Sequence, residues 1–314
     1  MRILASCVVS VVGAFGSACY MSHPPFAGSG DDRDGGDGLV SDADTTPPDG
    51  RYYMHDAWDA IRCVDAECPD GMVLVPCGPF VQGSRVGEGV TPAEEPARVA
   101  WMSTYCIDRT EVSVAQYFAC VAAGRCSGID LALNPDLSSD NPVRGAVDVI
   151  SYCSWRGHRI AVPTAAEWEK AARGGCEVVA PADCGPEDER RYPWGDQAPT
   201  CGRANFAGCA GGPLPVGGRA AGASPYGALD MAGNLVEVVG GDDLVSVPDR
   251  TYCYCAPADP AVPCVGPACG GAGGAIRGGH YDSPAENLTL SERGPYAPVA
   301  DQHTGFRCAW HPPR

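Results

Sequence analysis

Eighteen cysteines are spread through a chain of 314 residues that also holds 41 glycines and 29 prolines. So many turn-formers make long irregular loops, and loops with few apolar anchors must be held by something other than a core. Whether the thiols are bridges or metal ligands depends on the compartment. The amino terminus bears on that choice. Arg2 precedes an apolar run from Ile3 to Phe15, and Gly16-Ser17-Ala18-Cys19 is a stretch of small residues ending in a cysteine. Residues 1–18 read as a secretory signal, too short for a permanent membrane span. Export favours disulfides, which would staple the irregular loops. Zinc on Cys253, Cys255, Cys264 and Cys269 is the rival reading, although their intervals are not the usual two-residue ligand gaps.

Cys19 is a candidate lipid-attachment site that would tether the exported chain to a cell or outer membrane. Ordinary cleavage nearby is the alternative, because Gly16 stands where such sites carry an aliphatic residue. Without a lipid the chain would be periplasmic or extracellular. Residues 19–62 read as a linker. From Gly28 to Gly50 the chain is Gly, Asp, Ser, Thr and Pro with almost no apolar residues, so it cannot bury enough surface to offset its ordering. Its aspartates lack the closing glutamate and flanking helices of a calcium hand. The formal charge of −17 argues against a nucleic-acid partner.

The texture changes at the start of the folded region, residues 63–314. Cys63 and Cys68 suggest a local bridge. Met72-Val73-Leu74-Val75 is a short apolar strand ended by Pro76, with Phe80 to Gly83 as its hairpin partner. Ala97 to Ile107 is a further strand candidate. Val114, Tyr117, Phe118 and Val121 have helical spacing, as do Tyr152 and Trp155. The clearest local signal runs from Thr164 to Gly175. Thr164 is an N-cap, Glu167 three residues on completes a capping box, and Gly174 stops the helix.

Several further segments carry a resemblance. They include Glu111 to Tyr117, Asn141-Pro142-Val143, Tyr192-Pro193-Trp194-Gly195-Asp196 and Ala204-Asn205-Phe206. Ser224 to Glu237, Arg277-Gly278-Gly279 and Gly305-Phe306-Arg307-Cys308 close the series. In this order, over about residues 70 to 310, they resemble the formylglycine-generating (sulfatase-modifying factor) family. The resemblance implies an α+β fold, irregular and mixed, related to C-type lectins, with long disulfide-stapled loops. It also implies an oxidoreductase ancestry. In the aerobic oxidases of the family a copper-binding cysteine pair follows the arginine-glycine-glycine turn, and the matching positions here are Ser283 and Leu288. No copper is expected, because copper(I) prefers thiolates. No iron is expected, because His158, His280, His303 and His311 have no close ligand spacing.

The family also implies calcium. Mapped here, its ligands are the side chains of Asp230 and Glu237 with the carbonyls of Gly233 and Leu235, and a second set starts at Asn205 and the carbonyl of Phe206. The alternative for the first set is that Asp230 caps a turn and Glu237 pairs with an arginine. Arg307, beside Phe306, is expected to meet an acidic residue such as Glu167 or Glu169. Val236 and Val238 stand where the family places tryptophans around the glutamate, so the local core is rebuilt. The candidate cleft is Trp194, Arg277, His280, Tyr281 and Ser283. The resulting expectation is a binding or scaffold module at the cell surface for a protein, peptide or glycan. The alternative is an oxidoreductase acting on a protein or small-thiol substrate.

Overall fold

The helix with the strongest sequence signal forms as its caps dictate. In the computed structural model, which describes residues 63–85, 87–89, 94, 97–145, 148–179, 190–240, 275–295 and 302–313, this is helix α3, Ala165–Arg173. Thr164 accepts from Glu167 N at 3.2 Å, and Glu167 Oε2 accepts from Thr164 N at 2.7 Å. Gly174 ends it with φ 93. Every residue of α3 is buried, charged ones included, so it is a central post, not an amphipathic cover. Helix α1, Val114–Ala122, carries a second capping box from Ser113 and Gln116. Helix α2 is Val149–Arg156, capped by Asp148, and α4 is the short Cys176–Val179.

Three small sheets surround α3. The first has the order β1-β4-β10-β5, with β1 Met72–Val75, β4 Tyr105–Asp108, β5 Ile160–Ala161 and β10 Ala309–Trp310. The second pairs β2, Gly78–Gln82, with β3, Arg98–Met102. The third has the order β8-β7-β6-β9, with β6 Val236–Val239, β7 Ala275–Arg277, β8 Arg293–Pro295 and β9 Thr304–Phe306. In it β6 and β9 run parallel, which sets Glu237 opposite Gly305. The expected hairpin of β1 with the strand around Phe80 does not form. β1 pairs instead with β4 and β2 with β3, and the stretch from Ala97 to Ile107 divides into two strands at Ser103 and Thr104. The short Pro76-Cys77 connection carries the chain from one sheet to the other.

Five bridges join described cysteines: Cys63–Cys77, Cys68–Cys106, Cys120–Cys126, Cys153–Cys308 and Cys201–Cys209. Cys176 is also disulfide-bonded. Cys63 and Cys68 do not bridge each other. Each fastens the entry segment to a different strand region, Cys77 between β1 and β2 and Cys106 within β4. The chain is thus an α+β protein held by several disulfides. The signal, the linker, Cys19 and the four cysteines weighed for zinc all lie outside the described residues.

The single lysine of the chain, Lys170, is fully buried on α3. Its ammonium donates to the carbonyls of Pro76 at 2.6 Å and Gly78 at 3.0 Å, and burial pushes its pKa down to about 8. It clamps the β1–β2 connection to the helix.

Candidate functional site

Two adjacent residues of α3 organise the region after the arginine-glycine-glycine turn. Trp168 Nε1 donates to Glu237 Oε2 at 2.8 Å, and the Arg277 guanidinium lies 5.5 Å from the Trp168 ring centre. Glu169 binds Arg277 through one oxygen and Arg173 through the other, the latter at 2.9 Å, while also accepting from Gly83 N at 2.7 Å. Burial opposes the Glu169 charge, but the two arginines outweigh it and hold the carboxyl below its usual range. Arg277 is therefore a sealed structural ion (2% exposed) and not part of a rim.

The glycines after Arg277 are required by what they touch. A Cβ on Gly278 would stand 3.1 Å from the Trp168 ring, and one on Gly279 would stand 2.7 Å from both Asn287 O and a Leu288 methyl. Both have positive φ, 92 and 70. The turn thus presses its backbone onto α3 on one side and onto Leu288 on the other.

Arg307 does not meet Glu167 or Glu169. Its Nε and Nη2 take both oxygens of Glu237 at 2.6 Å each, Nη1 donates to Asp108 O and Nη2 to Leu229 O, both at 2.9 Å. Parallel pairing of β6 with β9 delivers this contact, because Arg307 follows directly on the strand that lies beside Glu237. Glu167 instead faces His311 Nε2 at 2.7 Å. Both oxygens of Glu237 are engaged by Arg307 and Trp168, the arrangement of the ion-pair alternative. Val236 and Val238 flank it and are buried.

Asn234 is the hub of the neighbouring turn, with φ 66. Its side chain donates to Glu111 at 2.7 Å and accepts from Leu214 N at 2.8 Å and Asn205 Nδ2 at 3.1 Å. Its carbonyl accepts from Tyr281 N at 3.0 Å, which seats the segment after the glycines. Asp230, also at positive φ, accepts from Gly217 N at 2.5 Å. Burial pushes Glu111 up strongly, and the Asp230 and Glu237 carboxylates add to it. Asn205 Oδ1 is buried and has no hydrogen-bond partner among the described residues.

The segment from His280 to Leu288 follows the arginine-glycine-glycine turn. Ser283 is buried, its Oγ accepting from His280 N at 3.0 Å and its carbonyl from Ala207 N at 3.0 Å. Leu288 is fully buried in a cluster with Tyr192, Ala204 and Ala232, against which Trp194 and Phe206 pack. Trp194 stacks on Tyr192 with ring centres 5.3 Å apart and has the Arg203 guanidinium 5.8 Å from its own. His280 remains half-buried at the surface end, against His303 and Tyr281 at ring separations of 4.2 and 6.0 Å. His303, weighed in the sequence only with the other histidines as an iron ligand, is brought against His280 by the fold.

Behind Arg277 lies a second polar cluster. Ser291 donates to Glu94 at 3.0 Å, and Asn287 donates to Glu292. Burial dominates at Glu292 and, with Glu94 and Glu286 nearby, pushes its pKa up to about 7. The folded state therefore holds this proton more tightly than the unfolded chain, where a glutamate titrates near about 4.3. Its contribution to stability is present at acid pH and is lost as pH rises through about 7. The urea midpoint of the wild type is expected to fall between about pH 5 and about pH 8 by more than that of Glu292→Gln, the gap being trimmed by solvent screening. Parallel pH dependences in the two proteins would contradict this assignment.

The comparisons agree with this architecture. The solved structure of PvdO from Pseudomonas aeruginosa superposes with a TM-score of 0.53 and 21% identity over 76% of this chain and 93% of that one. That defines the class of fold. The model of the sulfatase-modifying factor enzyme 1-like domain (FGE-sulfatase) matches residues 63–312, and the chain belongs to that family. Among curated relatives, a hercynine oxygenase of Mycolicibacterium thermoresistibile is 41% identical over 104 residues, which are 32% of this chain but only 21% of that protein. A formylglycine-generating enzyme of Thermomonospora curvata is 27% identical, with 81% of this chain and 98% of the enzyme covered.

Proposed function

We propose that this chain is an exported formylglycine-generating-enzyme-like protein that lacks the copper cysteine pair and serves as a binding or scaffold module at the cell surface. One observation carries the reading. The two positions that the family resemblance sets against the redox pair hold Ser283, tied to the His280 backbone, and Leu288, fully buried among apolar side chains. Neither supplies a thiolate, and Leu288 is where the Gly279 backbone rests. What is left half-buried is His280 and Trp194, with Tyr281 buried behind them, and the two rings are suited to a peptide, a glycan or a protein surface. The C-type-lectin-like description of the fold belongs to the same proposal, supported by its mixed elements and long loops.

Five bridges among described cysteines support an oxidising compartment. No helix among the described residues is long and apolar enough to cross a membrane. The attachment proposed here is a lipid on Cys19, which follows a run of small residues. For calcium, the residues of the first set do not fit as arranged, because Arg307 and Trp168 already occupy Glu237. The second set fits better. Asn205 Oδ1 is a buried oxygen in need of a partner, and a hard cation takes such oxygens. Calcium there would cross-link the 205–207 loop to the Asn234 turn and so hold the rim.

The purified protein, incubated with copper, oxygen and a cysteine-containing sulfatase peptide, is expected to leave the peptide mass unchanged. Conversion of the cysteine to an aldehyde with turnover would defeat the non-catalytic reading. It would favour the second one, an oxidoreductase acting on a protein or small-thiol substrate. The matches to formylglycine-generating enzyme and hercynine oxygenase support that second reading.

A further inference from the structure

We propose that residues 52–61, which run directly into the folded region, pack as an amphipathic helix on the exposed face of β1 at Leu74. The family match begins only at Cys63, so this contact is a property of this chain and is independent of the missing thiols. Residues 28–50 are almost free of apolar side chains, whereas Tyr52, Tyr53, Met54, Trp58 and Ile61 follow close together. Met54, Ala57, Trp58 and Ile61 stand at the i, i+3, i+4, i+7 spacing of one helical face, and His55, Asp56, Asp59 and Arg62 take the opposite one. A helix this short is marginal alone in water, and it persists only when its apolar stripe is packed against something.

The receiving surface lies beside the point of entry. β1 is an edge strand, and Leu74 on it is 41% exposed. Leu74 pairs with Cys106, and Cys106 pairs with Trp310, so the three side chains share one face of the sheet. Trp310 is half-buried there. Cys68 bridges to Cys106 on that face, and Val64 N donates to Thr104 Oγ1 at 3.2 Å. These two ties lead the entry segment past β4 to Cys63, which is itself bridged to Cys77 with Cα atoms 5.1 Å apart. Leu74 stands three residues before Cys77, at most about 11 Å along the chain. A helix of ten residues spans about 15 Å, so a stripe that starts at Ile61 reaches Leu74 without a long excursion. The bridge also keeps the stripe at a local concentration that a separate partner does not match. The tether from Cys19 would then end near Arg51 and not at Arg62.

Hydrogen exchange of the full-length protein, followed by mass spectrometry, tests the contact. Amides of residues 52–61 are expected to exchange at least about tenfold more slowly than those of residues 28–50, at a rate that does not change on dilution. Leu74→Asp should bring the two segments to the same rate, and Leu131→Asp, at an exposed apolar side chain in the loop after α1, should leave the protection intact. Trp58→Asp alters the other partner, outside the described fold, and keeps the test valid should Leu74→Asp misfold. It is expected to free residues 52–61 and to speed exchange in β1 while α3 stays as protected as in the wild type. Equal rates for the two segments in the wild type, protection that survives Leu74→Asp in a folded protein, or β1 exchange unmoved by Trp58→Asp would overturn the proposal. Protection that fades on dilution would assign the stripe to a second copy of the chain, and protection seen only with anionic lipid vesicles would assign it to a membrane surface; either result also overturns it.

Discussion

Replacing Arg307 with methionine is expected to cost about 3–5 kcal/mol of unfolding free energy. The side chain is fully buried, and methionine approximates its bulk without its charge. What changes is electrostatic. Glu237 loses two contacts of 2.6 Å and keeps only the Trp168 indole, while the carbonyls of Asp108 and Leu229 each lose a donor. Burial works against the Arg307 charge, yet Glu237, with Glu111 and Asp230 beyond it, raises its pKa. Removing that cation strands several carboxylates in a dry interior. Arg307→Met combined with Glu237→Leu should recover part of the loss, because the stranded charge goes too and only the indole N–H and the carbonyls remain unmet. Urea unfolding at neutral pH measures both. A single variant within about 1 kcal/mol of the wild type would show that the pair is solvated or replaceable.

The same network shows where sequence reading reached and where it stopped. Helix α3 was legible to its last residue, since Thr164, Glu167 and Gly174 act through backbone groups three or four positions away. The tight arginine-glycine-glycine turn was legible for a similar reason. Pairing across the chain was not. Met72–Val75 looked like half of a hairpin, because adjacent strands often pair, but Cys68–Cys106 fastens the segment before β1 to β4, its actual partner. Arg307 was expected on α3 and sits on Glu237, because nothing local announces that β6 and β9 run parallel. His280 and His303 are 23 positions apart, and no periodicity links them; their contact exists only once β7 and β9 flank β6. The burial of Arg277 was hidden likewise, as its partners Glu169 and Ser291 come from other elements.

Removing the Cys153–Cys308 bridge by alanine at both positions is expected to cost about 3–5 kcal/mol. The bridge joins residues 155 apart, and the chain-entropy relation assigns a loop of that length about 5 kcal/mol. None of the other described bridges crosses out of this loop to shorten it: Cys201–Cys209 lies wholly within it, and the remaining three lie before it. Both sulfurs are fully buried in the cluster that holds Tyr152, Ile160 and Phe306, so the double alanine also leaves a void. Cys120–Cys126, only six residues apart, supplies the control. The same relation gives it about 2 kcal/mol. The difference between the two double variants in urea midpoint therefore reports the longer loop together with the deeper void, apart from the general effect of losing a bridge. Equal losses would mean that the unfolded ensemble is already compact, or that strain in the folded state offsets the longer loop. A large loss is expected to carry Arg307 with it. Cys308 N donates to Asp108 Oδ2 at 2.8 Å, and the Asp108 carbonyl is one of the four acceptors holding the guanidinium. The bridge thus fixes the backbone on which the buried ion pair depends, and the two predictions are coupled: a variant lacking both the bridge and Arg307 should lose less than the sum of the separate losses.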